Sequence, residues 1–203
     1  MRLPSPRPLS AEEAASLNAS IPSQFGDYLG PLPEGVPVVP GPVHLPDFEQ
    51  DGSCLILGDL QVEGLLVNPP HTSLIVTGSL RAGAVLTMGK LVVLGDAVVG
   101  DMYGNSFCNE VCVVKGSLTA RCLLEKGHFF ETLGRLSGGA ALSLSNVISA
   151  HGGVESGVAA LGGMDDEERR RVLDASLFDG EGSLSEPRIV ARLREGLPLL
   201  RAS

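Results

Sequence analysis

Between residues 53 and 150 the apolar positions recur around a glycine. CLIL precedes Gly58, LIVT precedes Gly78, LVVL precedes Gly95 and CVVK precedes Gly116; DLQV, SLRA, DAVV and SLTA follow. Within each copy the residues two and four before the glycine, and two and four after it, are mostly apolar. A two-residue period is that of a β-strand, and the glycine interrupts it, so the chain bends there. Two more apolar residues recur seven and eight positions beyond the glycine, as Leu65-Leu66, Val85-Leu86, Met102-Tyr103 and Leu123-Leu124. A fifth, degraded copy surrounds Gly134. The glycines lie 20, 17, 21 and 18 residues apart.

Short strands with corners, repeated at this spacing, describe one turn of a β-helix whose coils must stack to bury their inner faces. Stacking predicts columns. One holds Cys54, Leu74, Leu91, Cys112 and Phe130; the next holds Ile56, Val76, Val93, Val114 and Thr132; a third holds Leu60, Leu80, Ala97, Leu118 and Leu136. The competing fold is an antiparallel β-sandwich. Its hairpins favour Asn-Gly or Asp-Gly turns between alternating runs, and it gives no reason for the repeat.

The flanks differ. Residues 1–52 hold ten of the fourteen prolines and read as an extended N-terminal extension or cap. A helix is predicted at Ser10–Ala19, with Ser10 as N-cap and Glu13 three residues on. Val36–Val39, Val43 and Leu45 are expected to cover the first coil. In residues 151–203, Asp165–Phe178 and a segment from Ser185, with Pro187 in its first turn and Gly196 as its stop, read as helices. They are expected to cover the C-terminal end, where strand edges would otherwise be open. The expectation is a mainly β protein: a single-stranded β-helix of about five coils over 53–150 with a C-terminal α-helical cap, all in one globular unit.

Composition agrees, with 26 glycines, few aromatics and no tryptophan. These suit a narrow aliphatic core with many tight turns. The net charge of −9 argues against a nucleic-acid groove, which needs clustered Lys and Arg. No apolar run reaches the roughly 18 residues of a membrane span. The start of the chain shows no export leader, so a cytoplasmic location is expected, with Cys54, Cys108, Cys112 and Cys122 as reduced thiols. Their spacing is not that of a zinc site, and Cys54 and Cys112 fall on an inward column; Cys108 sits in a loop. His44, His71, His128 and His151 do not converge in copy order. No nucleophile elbow or phosphate loop occurs. The chain therefore reads as a non-enzyme with no catalytic residues, metal or cofactor.

What remains is surface. The longest inter-coil loops, Asn68–Ser73, Tyr103–Glu110 and Glu125–His128, share a position in the repeat and are expected on one side. Loops on a rigid scaffold carry recognition. Tyr103, Asn105 and Phe107, with Asp101, Glu110 and Glu125 as an acidic fringe and His128 nearby, are the candidate partner-binding residues.

The coil unit, apolar-x-apolar-x-Gly-(Asp/Ser)-Leu-x-(Val/Ala), resembles that of the bactofilin-type, polymer-forming β-helix proteins of bacteria. A closer resemblance is to a bacterial group with segments like LVVLGDAVVGDMYGNSF, KGSLTARCLLEKGHFF and FDGEGSLSEPRIVARLREGLPLLR, and it covers roughly residues 53–200. Such proteins neighbour toxin and secretion-system genes. The resemblance implies an immunity protein that occludes a cognate toxin or effector; a monomer or small homo-oligomer is expected, and the acidic charge suits a basic partner domain. The alternative it implies is a polymer-forming scaffold, from which the irregular spacing and helical tail depart.

Overall fold

The chain folds as a parallel β-solenoid; the structure, a computed structural model, describes residues 6–22, 35–107 and 110–202. Cys108 lies outside the described residues. After β1 (Arg7–Pro8) and helix α1 (Ala11–Ser20), the first coil holds β2 (Pro37–Pro40), β3 (Val43–Leu45) and β4 (Phe48–Glu49). The next five coils each join a short strand to a long one. They are β5 (Cys54–Leu57) and β6 (Leu60–Asn68), β7 (Ser73–Val76) and β8 (Leu80–Thr87), β9 (Lys90–Val93) and β10 (Ala97–Asn105), β11 (Val111–Val114) and β12 (Leu118–Lys126), β13 (Phe129–Thr132) and β14 (Leu136–Ser143). The last coil holds β15 (Ile148–Ala150) and β16 (Ala159–Ala160). Short strands stack into one sheet and long strands into the other. Among the described residues, no helix is long and apolar enough to cross a membrane.

The predicted columns are present in register. Cys54 pairs with Leu74, Leu74 with Leu91, Leu91 with Cys112 and Cys112 with Phe130. The columns through Ile56 and Leu60 run equally to Thr132 and Leu136. Together they form the interior of the solenoid. At the corner after each short strand the glycines stack backbone on backbone, with Gly95 donating to the Gly78 carbonyl at 2.9 Å and Gly116 to that of Gly95 at 3.0 Å. A Cβ on Gly95 would stand 2.7 Å from that Gly78 oxygen, so no side chain fits.

The coil count is seven rather than about five, because the same corner recurs at both ends. Val39 pairs with Ile56 and Val43 with Leu60, which puts Gly41 beside Gly58. Gly152 donates to the Gly134 carbonyl at 2.9 Å. The segment expected to cover the first coil is itself that coil, and the solenoid begins at Pro37.

The helices cover flanks. The outward residues of the short strands, Val38, Leu55, Ile75, Val92 and Val113, are all buried. Leu9, Ala14, Leu17 and Ile21 lie over them. Helix α1 has the predicted capping box, in which the Ser10 side chain accepts from the Glu13 N–H and Glu13 reaches back. Its ten residues span about 15 Å, close to the roughly 19 Å between coils one and five. Beyond its reach the outward column turns polar, to Glu131 and Ser149.

The C-terminal segment carries α2 (Asp166–Val172), a 3-10 turn (Ala175–Leu177) and α3 (Glu186–Arg194). Leu161, Leu173, Leu177, Phe178, Ile189, Leu193 and Leu199 pack on the outward side of the long strands past their bend, against Val67, Leu86, Tyr103, Leu124 and Leu142. The helical cap is present, but it lies along the side of five coils instead of across the end. The last coil, built from small residues, leaves Val147 49% and Val154 58% exposed. The first half of the long strands forms the remaining flank, where Gln61, Arg81 and Val98 face solvent.

Candidate functional site

Two of the three expected loops, Asn68–Ser73 and the end of Tyr103–Glu110, emerge on one side with the short connection at Met88 between them, whereas Glu125 and Lys126 of the third belong to β12. Pro70 and His71, Met88, and Ser106, Phe107 and Glu110 come from three successive connections, and they line one pocket of about 140 Å³ together with Asn105 and Glu186. Its walls are largely apolar. His71 holds a left-handed backbone with φ 60°, a conformation rare outside glycine and asparagine. Phe107 stands at the rim, 95% exposed, which is exceptional for a phenylalanine. Among the described residues the Glu110 side chain meets no cation and no hydrogen-bond donor.

The other candidates are placed differently from expectation. Residues 101–105 are strand, because the second half of β10 pairs on both sides with β8 and β12. Tyr103 is therefore fully buried beneath the C-terminal segment, and burial pushes its phenol pKa up, with the charges of Glu186 and Glu125 adding to the shift. Asp101, expected in an acidic fringe, is buried. It accepts two bonds from the Arg121 guanidinium and one from the Leu199 N–H at 3.2 Å, fastening the C-terminal tail to the fourth coil.

Glu125 is also buried rather than exposed. One oxygen accepts from the His128 N–H at 3.0 Å; the other accepts from the backbone of Leu144, Ser145 and Asn146 at 2.8–3.1 Å and from the Ser143 hydroxyl. It holds two successive connections together, as a carboxylate saturated with donors can. His128 fills the interior beside Phe130, with ring centroids 5.3 Å apart. Neither of its ring nitrogens makes a well-formed hydrogen bond among the described residues. Burial lowers its pKa to about 4, outweighing the Glu125 charge and the Val111 backbone, which favour the charged ring.

Asn105 bridges the two groups. Its amide donates to one Glu186 oxygen, and Lys126 pairs with the other at 3.0 Å. These bonds clasp the first turn of α3 to the fourth and fifth coils. Of the seven candidates, then, Asn105, Phe107 and Glu110 line the pocket, Tyr103, Glu125 and His128 are buried in the frame that carries its loops, and Asp101 lines a separate cleft with Arg121 and Leu197. Pro70, His71, Met88, Ser106 and Glu186 were missed. Pro70, His71 and Ser106 fall in loops legible from the sequence, whereas Met88 sits on a short connection that the repeat did not mark and Glu186 reaches the pocket only through the packing of the tail.

Cys112 and Cys122 are fully buried, and burial raises both thiol pKa values; that of Cys54 rises to about 11. Thiols so protonated are poor nucleophiles and poor ligands. Among the described residues no three His, Cys, Asp or Glu side chains group as metal ligands. No protein-family model, curated protein or solved structure matches the chain.

Proposed function

We propose that the chain is a non-enzymatic protein-binding solenoid that works in the cytoplasm as an immunity-type inhibitor, seating a basic toxin or effector domain on its loop side and occluding it. The observation that carries this reading is Phe107, a large apolar side chain left in solvent at the mouth of an apolar pocket on a rigid frame. Exposed aromatics beside pockets are the usual anchors of interfaces. The net charge of −9 favours encounter with a basic domain. Inhibition by occlusion requires burial of roughly 1,600 Å² in total, and no chemistry.

The test is co-expression with basic effector domains encoded beside the gene. The wild-type chain restores growth against at least one of them, and the folded Phe107→Asp variant does not. Rescue that survives Phe107→Asp, or its absence with every such domain, contradicts the reading.

A second reading, end-to-end assembly, has one observation in its favour: Leu144 and Val147 in the connection into the last coil, and Val154 within it, are each exposed. At the other end β1 pairs antiparallel with β2 and occupies the edge of the short-strand sheet. That asymmetry suits pairing of two C-terminal ends better than a filament.

A further inference from the structure

We propose that the loop-side pocket receives an arginine side chain of the protein partner. The proposal rests on the partner-binding reading above and adds the chemistry of the anchor.

The cavity is about 140 Å³, the size of one long side chain and too small for a helix or a strand. Pro70, Met88 and the Phe107 ring offer apolar contact, while Glu110 and Glu186 supply negative charge. A side chain that enters must match both. Arginine does, because its methylene stem packs on apolar surface while its planar head stacks on an aromatic ring or forks to a carboxylate. An aliphatic side chain would strip water from Glu110 and return no counter-charge, which is unfavourable. An acidic side chain would meet two carboxylates on a protein of net charge −9.

The two acids divide the task. Glu186 is held by Asn105 and Lys126, so its charge is already shared. Glu110 has no cationic partner among the described residues and lies on the same connection as Phe107. Glu110 and Phe107 therefore form the selective pair, with the ring over the guanidinium and the carboxylate at its edge.

The experiment is NMR titration of the full labelled chain with N-acetyl-arginine amide, beside N-acetyl-citrulline amide, which keeps the shape and removes the charge. The expected result is saturable shifts at Ser106, Phe107 and Glu110 with the arginine probe. The citrulline probe binds about tenfold more weakly, as does the arginine probe to Glu110→Gln, matching the loss of one ion pair. No saturable shift at these residues, equal binding of the two probes, or full binding by Glu110→Gln overturns the proposal. Loss of growth rescue by Phe107→Asp together with no arginine binding overturns the pocket proposal alone. Arginine binding together with full rescue by Phe107→Asp overturns the partner-binding reading alone.

Discussion

Gly104 and His128 share one inner corner. A Cβ on Gly104 would lie 2.5 Å from two atoms of the Phe130 ring and 2.9 Å from the His128 Cβ, so the glycine makes room for both rings. His128 stays neutral there, and this has a consequence in acid. Above pH 6.5 the ring is neutral in both folded and unfolded chains and has no effect on stability. Below that value the unfolded chain takes up a proton that the folded chain refuses until about pH 4. Stability therefore falls as pH drops from 6.5 to 4, by on the order of 3 kcal/mol from this group. Denaturant unfolding at pH 7 and pH 4.5 measures it; the difference shrinks in His128→Asn. A loss equal in wild type and variant would contradict the assignment. The lowered carboxyl pKa values of Asp174 and Asp179 act in the same direction, at lower pH.

At the scale of elements, the solenoid is a sheet pair with apolar residues on both sides, strapped by its own termini. The strand columns were legible because side chains alternate strictly, so one aligned glycine sets every residue around it. The two end coils were overlooked although most of the signature is present, with Val39, Val43 and Leu45 about Gly41 and Ile148, Ala150 and Val154 about Gly152; the prolines about Gly41 read as an extended cap, and the run before Gly152 is short. The straps were missed for a different reason. Leu55, Ile75, Val92 and Val113 make the short strands apolar at both parities, which signals burial on both faces; alternation on one face alone hides it. Ala14→Asp places a carboxylate against that outer face. It is expected to destabilise the chain by about 2–3 kcal/mol, in the range for a buried unpaired polar group. It should also raise dye binding and speed amide exchange in β5, β7 and β9. Unchanged exchange there would show that α1 does not strap the sheet.

The candidate site was half legible on the same grounds. Phe107 and Glu110 are loop residues at a repeated position, and the structure leaves them in the loop. Tyr103, Glu125 and His128 read as surface because the repeat placed them in inter-coil loops, which normally run over the surface. Their burial comes from partners far along the chain, such as Leu144–Asn146 around Glu125 and the tail over Tyr103.

Across the whole molecule, both outward apolar flanks are covered, the N-terminal edge of the short-strand sheet is closed by β1, and the surplus charge is negative. Among the described residues the loop side offers the apolar pocket for recognition, beside the last coil as a smaller patch and the solvent-facing flank at Gln61, Arg81 and Val98. The central claim is that this is a discrete particle whose working surface is lateral. Sedimentation velocity of the purified 21.1 kDa chain across a concentration series, at low and moderate salt, tests that claim most directly. The account predicts one compact species no larger than a dimer at every concentration. Assemblies that keep growing with concentration would contradict it and make the solenoid ends the functional surfaces.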